Sequence, residues 1–535
     1  IIDYALAAGV ELSIQTYEGP TSSDHKPLLG VLSVDEISTC EGFRTIWSVF
    51  SLGLVYCSSW WEQRWIEGPY EQAYEEFIAF LSMLESRCRI YFPLKRARPS
   101  IPKEIVKLLA QSRKLSFRAS RTGDIAMRRE ARTLRNQARF ELKRFQQTQL
   151  MTSLKGRNTP GESSTIFWNK VKRQFKSVST TVRGFTQTNG EITKDPQEMA
   201  NIAADHYEKL FEAPVVVRPH PYVDSPPLQW ENDADQIPAV TYPEVIGLLR
   251  TRKKKQSKDI HGLSPFLLDK IPRNYWHLLI RLYNQSFGNG YIPRKLKEVR
   301  MIMLAKKTAI CSVDQTRPIS LLDSFLKMQE KLFVNRFVQI LKGRGLLPDN
   351  QSGFRAGFRL QTRVLLLIDQ ISSYMANSAP VATVFVDFKS AFDQLWFEGC
   401  LGKLSRMGIP KAYITWIESW LSDRRAVIEI GGCRSRWIAI QRGGPQGSVF
   451  TPTLFITYHA DMADFIPGAM SFFFADDLAA VIAGRMGVKF SEQCLDLEKR
   501  LHEFFTQLEF YSILSCQPIN YAKTQAMFSA RAVCY

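Results

Sequence analysis

The sequence predicts a chain of several domains that mixes helices with strands, and three observations carry that expectation. Its 535 residues correspond to three or four domains at roughly 150 residues each. Apolar residues make up 45% and aromatic residues 12% of the chain, enough to fill real cores and to exclude wholesale disorder. Beyond Pro238, helical and alternating apolar patterns follow one another to the end.

The charge is uneven. The chain carries 70 Lys and Arg against 52 Asp and Glu, a net of +18, and such an excess of base points to a polyanionic partner. Residues 95–176 hold 22 basic and 5 acidic residues, so +17 of the +18 sits there. Nine cysteines without a C-x-x-C pair argue against a disulfide scaffold or a zinc knuckle. A long uncharged run, residues 45–61, contains five Ser/Thr and falls short of the ~18 apolar residues of a membrane span. No initiator Met and no signal sequence open the chain, which reads as an intracellular fragment.

Taken in order, residues 1–30 are strand-like and end near SSDH at 22–25. Residues 31–94, with Trp47, Trp60, Trp61 and Trp65, read as a helical, aromatic-rich connector. Residues 95–213 form a basic helical extension in which Arg128, Arg132, Arg135, Arg139 and Lys143 recur at three- and four-residue steps, one helical face. With Phe117, Phe140, Phe145, Phe167 and Trp168 interleaved, it suits a phosphate backbone better than a merely solvated face. Pro214, Pro219, Pro221, Pro226 and Pro227 mark a linker over 214–238. Arg252, Lys253, Lys254 and Lys255 read as a template-touching basic loop rather than a nuclear-localisation patch.

Three stretches carry chemistry. TVFVDFKSAFD (383–393) begins as a β-branched strand that delivers Asp387 at its C-terminal end. A carboxylate there is costly unless a metal or a base neutralises it. SFFFADDLAAVI (471–482) reads as a hairpin with Asp476 and Asp477 at its tip, and two adjacent like charges make sense mainly around divalent cations. Between them, RGGPQGSVFTP (442–452) forms a tight glycine loop, with Thr451 as N-cap and Pro452 as first helical residue. A solvated turn explains most isolated Asp-Asp pairs; for the glycine loop, the ordered series of strand, loop and hairpin makes an ordinary loop-to-helix turn a weak reading. Lys389 and Asp393 read as solvated or as loop-holding residues.

FVDFKSAFD, RGGPQGSVFTPTLF, FADD and NYAKT (520–524) together resemble the palm of a reverse transcriptase, most closely the non-LTR (LINE-type) retrotransposon enzymes. Lys306, Lys307, RPISL (317–321) and QSGFR (351–355) with Thr362 resemble their fingers motifs, and Phe167, Trp168 and residues 204–211 the segment before them. SSDH resembles the last motif of an apurinic-type endonuclease, with Asp24 and His25 as its polar pair. Departures from the family pattern are the stretch 258–263, Ser352 and Gly444.

The resemblance implies an α+β fold: a right-hand polymerase with fingers (239–380) and palm (381–535). An antiparallel palm sheet would be backed by helices, the basic helical region would precede it, and residues 1–30 would be a partial, non-catalytic α/β endonuclease remnant. No helical thumb is expected within the chain. Asp387, Asp476 and Asp477 would hold two Mg²⁺ ions, or Mn²⁺. Arg317 with Lys306 or Lys307 would contact the triphosphate, Gln446 and Gly447 would line the template–nucleotide site, and Lys523 would serve as general acid. Phe392 occupies the steric-gate position that favours dNTPs, although an aromatic on a buried helix face explains it equally well. The implied partners are an RNA template, a DNA primer or target, and dNTPs, with no membrane, in the nucleus or a cytoplasmic ribonucleoprotein. The competing expectation is a catalytically silent, truncated product that binds RNA through its basic arm. A viral RNA polymerase is disfavoured by Phe392 and an intron maturase by SSDH.

Overall fold

The computed structural model describes residues 11–16, 28–33, 41–67, 69–93, 101–154, 182, 184–187, 190–307 and 310–531. The chain divides into two compact units, residues 1–46 with 88–179 and residues 47–87 with 180–535.

In the first unit, Glu11–Thr16 pairs antiparallel with Leu28–Ser33, and Glu41–Thr45 with Arg89–Pro93. A helical hairpin follows, Lys103–Thr122 and Ile125–Leu154. Small side chains let its arms approach: Ala119, Ala131 and Ala138 are buried, and the Ser112 hydroxyl donates to the Ala131 carbonyl at 2.8 Å. The Asp124 carboxylate accepts the Ala126 amide at 2.7 Å and starts the second arm.

The second unit holds two sheets. In chain order its main strands are β1 (Glu298–Ala305), β2 (Thr316–Leu322), β3 (Val381–Val386), β4 (Arg424–Ile430), β5 (Met470–Phe474), β6 (Asp477–Ala483) and β7 (Gln525–Ser529). One sheet is mixed: β1 pairs antiparallel with β2 and parallel with β4, which also carries the short strands Cys433–Arg434 and Ile438–Ile440. The other is antiparallel throughout, in the order β5-β6-β3-β7. Side chains alternate between its two faces along β3 and β6. Ala382, Val384 and Val386 join Leu478, Ala480 and Ile482 in a core shared with Phe455, Leu497, Phe504 and Leu508. On the opposite face Val381, Phe472 and Val481 lie under Leu367 and Ile371 of the helix Leu360–Ala376. This is the α+β arrangement, with helices on both faces of an antiparallel sheet.

The structure draws its boundaries differently from the sequence segments. Helices Trp47–Tyr56, Ser58–Glu67 and Tyr70–Arg87 pack into the second unit because their aromatic faces need partners: Phe77 stacks on Tyr275 at 5.6 Å, and the Tyr275 hydroxyl donates to the Leu54 carbonyl at 2.6 Å. Helix Pro196–Leu210 also belongs to this unit. The proline-rich stretch 214–238 is tied down, since the Trp230 indole donates to the Ser405 carbonyl at 2.9 Å and the His220 ring meets the Leu514 carbonyl at 3.1 Å. In the basic run at 252–255, Arg252 and Lys254 pair with Asp269 at 2.7 and 3.1 Å. The division at 380/381 is crossed twice. Strand β4 joins the sheet of β1, and residues 350–352 add to the edge of β5, where the Ser352 amide donates to the Phe473 carbonyl at 3.0 Å. Every described cysteine is a free thiol. Among the described residues no helix is long and apolar enough to cross a membrane.

Candidate active site

Strand β3 is a run of Val, Ala, Thr and Phe with Asp387 as the next residue beyond its end, and β6 begins at Asp477. Their register sets Leu478 opposite Val386, so Asp477 and Asp387 are the next residues out at the same end of the sheet. Phe474 pairs with Asp477 across the β5–β6 turn, which leaves Asp476 at its tip. Folding thus gathers carboxylates that lie 89 positions apart in sequence. Burial, then the charges of Asp477 and Asp387, raise the pKa of Asp476, with Arg317 opposing; burial and Asp387 raise that of Asp477. Asp387 is held from the segment before β7. Its Oδ2 accepts the Asn520 side-chain amide at 2.7 Å and lies 3.4 Å from the Lys523 ammonium, and its carbonyl accepts the Asn520 amide at 2.7 Å. A cleft of about 590 Å³ opens here, lined by Arg363, Phe385, Asp387, Phe474, Asp477 and Lys523 among others.

The Asp476–Asp477 turn is clamped by a residue that sequence reading quoted without a role. The Gln351 side chain, 5% exposed, accepts the amides of Gly353 (2.7 Å) and Ala475 (2.9 Å) and donates to the Ala475 carbonyl (3.0 Å). Ala475 has φ +62°, a conformation that needs such support. A Cβ on Gly353 would stand 2.0 Å from the Ala475 nitrogen, so the close approach requires glycine. QSGFR, which resembles a fingers motif, therefore docks on the hairpin that carries the acid pair. Ser352, a departure from the family pattern, accepts the Arg363 guanidinium at 2.9 Å.

The glycine loop is fixed from two sides. Gln446 donates through Nε2 to both oxygens of Asp393, at 3.0 and 2.8 Å. Asp393 is therefore not solvated: it is 5% exposed, and burial pushes its pKa up to about 7, with the Gln446 bonds and Lys306 opposing. Of its two expected states the loop-holding one is observed, because residues 443–446 fold over it. On the other side Glu330, fully buried, accepts the Trp420 indole (2.9 Å), the Ser448 hydroxyl (2.9 Å) and the Val449 amide (2.8 Å). Gly447 has φ +135°, and a Cβ there would meet the Ser320 carbonyl at 2.4 Å. Thr451 is not the N-cap: the helix Thr451–Tyr458 starts after Phe450, and the Ser448 hydroxyl accepts the Phe450 and Thr451 amides at 2.9 and 3.2 Å. The glycine-bent backbone carries that hydroxyl under the helix end.

The basic residues gather about the acids. Lys306 is exposed, donates to the Asp314 carbonyl at 2.7 Å, and has its pKa lowered by partial desolvation and then by the charges of Lys523 and Arg317. Arg317 is exposed and acts on Asp476; Lys307 and Lys389 are exposed. Phe392 is half-buried, 4.7 Å from the Phe455 ring and 6.0 Å from that of Phe354. It packs against the palm core while one side stays open. Arg128, Arg132, Arg135, Arg139 and Lys143 lie exposed on the helix Ile125–Leu154 of the other unit. Asp24, His25, Phe167 and Trp168 lie outside the described residues.

Hard divalent cations suit this donor set, carboxylate oxygens of which two have their pKa values raised by burial and then by the neighbouring carboxylates. Among the described residues no group of three His, Cys, Asp or Glu stands ready as a metal cage. The flank of Asp387 is instead balanced by the Lys523 ammonium.

Residues 304–535 match the reverse transcriptase (RNA-dependent DNA polymerase) family. The chain carries a reverse transcriptase domain. It is 28% identical over 439 residues to the probable RNA-directed DNA polymerase from transposon BS of Drosophila melanogaster, covering 79% of this chain and 47% of that protein. It is 27% identical over 489 residues to the RNA-directed DNA polymerase from mobile element jockey of the same species, covering 87% and 52%. The chain thus spans about half the length of these curated relatives. Among solved structures, an apo telomerase from Candida tropicalis covers 49% of this chain and 57% of its own, at TM-score 0.32 and 11% identity, a likeness too loose to argue from.

Proposed function

We propose that this reverse transcriptase domain is an RNA-directed DNA polymerase of a non-LTR (LINE-type) retrotransposon, which extends a DNA primer 3′-hydroxyl with dNTPs on an RNA template. The observation that carries the reading is the meeting of Asp387 with the Asp476–Asp477 turn at one end of an antiparallel sheet, under a basic rim of Lys306, Arg317 and Lys523. Asp387, Asp476 and Asp477 would hold two Mg²⁺ ions, or Mn²⁺, which would supply charge neutralisation at the attacking and leaving oxygens.

The chain's own residues do the rest by placement and charge, without a covalent intermediate. Arg317, Lys306 and Lys307 bind the triphosphate. Gln446 and the bare backbone at Gly447 line the nucleotide and template, and Phe392 offers its ring where a ribose 2′-hydroxyl would clash. Lys523 holds the proton that leaving pyrophosphate takes up. The basic hairpin of residues 103–154 tracks phosphates of the RNA. Such a protein works inside the cell, in a ribonucleoprotein or at chromosomal DNA. SSDH at 22–25, on sequence alone, supports descent from an endonuclease segment.

Primer extension on poly(rA)/oligo(dT) with dTTP and Mg²⁺ tests this against Asp476→Asn/Asp477→Asn. Extension by the chain and none by the variant is the expected result. RNA binding without extension by either would refute the polymerase and leave an RNA-binding product.

A further inference from the structure

We propose that Asp393 is a positioning residue that orients the Gln446 side-chain amide, turning its carbonyl oxygen toward a hydrogen-bond donor of the bound nucleotide or template. The inference rests on the reading of Gln446 as part of the nucleotide site. A carboxylate only accepts hydrogen bonds, whereas an amide has a donating and an accepting end. With both Asp393 oxygens bonded to Nε2, the amide cannot flip without setting oxygen against oxygen. Its Oε1 is left pointing away from Asp393, as an acceptor. A sugar hydroxyl or an exocyclic base amine is the donor class that fits.

The surroundings make this a built arrangement. Asp393 closes the back of a small recess formed with Phe211, Pro318, Ser320, Ile440 and Gln446. The Gln446 carbonyl accepts the Ser320 amide at 2.8 Å, which anchors the residue's backbone while its side chain is held separately. The loop is also sewn to the segment that bears Phe392. The Gly444 amide donates to the Phe392 carbonyl, and the Gly443 amide to the Leu395 carbonyl, both at 2.8 Å. One buried carboxylate thus ties the nucleotide-facing glutamine to the chain beneath the aromatic gate.

Asp393→Asn keeps the shape but presents an amide that can accept or donate, so the orientation of Gln446 is no longer imposed. Steady-state extension at a pH above 7 should show KM for dTTP raised about tenfold, the scale of one oriented hydrogen bond, with kcat little changed. In a Gln446→Met background Asp393→Asn should then have no further effect on KM. An equal loss in both backgrounds, or a fall in kcat alone, would overturn the proposal. A second measurement does not depend on activity: the Gln446 side-chain amide NMR signal, assigned by its disappearance in Gln446→Met. It should exchange slowly in the unsubstituted chain and rapidly in Asp393→Asn; rapid exchange in both refutes the orientation. Failure of the unsubstituted chain to extend a primer overturns the polymerase reading, while the amide signal still decides whether Asp393 holds Gln446.

Discussion

Gln351 gives the sharpest test of how the acid pair is held. Gln351→Met keeps the length of the side chain and removes both amide atoms. Three backbone groups then lose their partners: the Gly353 amide, the Ala475 amide and the Ala475 carbonyl. A buried polar group left unpaired costs about 1–3 kcal/mol. Gly353 is buried and Ala475 half-buried, so about 2 kcal/mol for the first and about 1 for each of the others gives a loss of about 4 kcal/mol. The left-handed Ala475 also loses what supports it, and the turn bearing Asp476 and Asp477 should loosen. Urea unfolding of the chain and its variant measures the first effect, and kcat for primer extension the second, expected to fall at least about tenfold with KM for dTTP retained. Gln351→Glu should be intermediate, since its oxygens accept both amides but face the Ala475 carbonyl. A stability loss under about 1 kcal/mol with kcat intact would refute the clamp.

Three further outcomes are expected. Asp476→Asn removes a half-buried charge that Asp477 and Asp387 oppose, so in EDTA it should melt above the unsubstituted chain, while Mg²⁺ should raise the melting temperature of the latter alone. An unchanged or lowered EDTA melting point would contradict the repulsion. Glu330→Ala leaves the Ser448 and Val449 donors empty and strips a charge from beside the buried Arg424. Urea titration should show a loss of about 3–5 kcal/mol, and a near-neutral result would deny the loop its anchor. Replacing Arg128, Arg132, Arg135 and Arg139 with Ala should lower the slope of log Kd for single-stranded RNA against log salt by about 3, at about 0.7 per charge. These side chains are exposed, so the helical circular dichroism should not change; an unaltered slope would remove the hairpin from the RNA interface.

By itself the sequence determined the features written in local pattern. The β-branched run before Asp387 marks a strand, and an apolar stretch split by two acids marks a turn there. Glycines and a proline around Gln446 bent the loop, and three- and four-residue steps put five basic residues on one helix. Tertiary structure alone decided which distant polar groups meet. Gln351 reaches Ala475 across 124 positions, Glu330 reaches Val449 across 119, and Asp393 meets Gln446 across 53. From sequence Asp393 reads as solvated or as loop-holding, because its partner is 53 positions away; it is buried because residues 443–446 fold over it. The same holds for the aromatic helices over 47–87, whose periodicity shows a face that must be covered without saying what covers it. Apolar periodicity is a property of neighbouring residues, and a chain can show it before it folds. A buried hydrogen bond between far segments is a property of the pair, and exists only once the backbone has closed the loop between them.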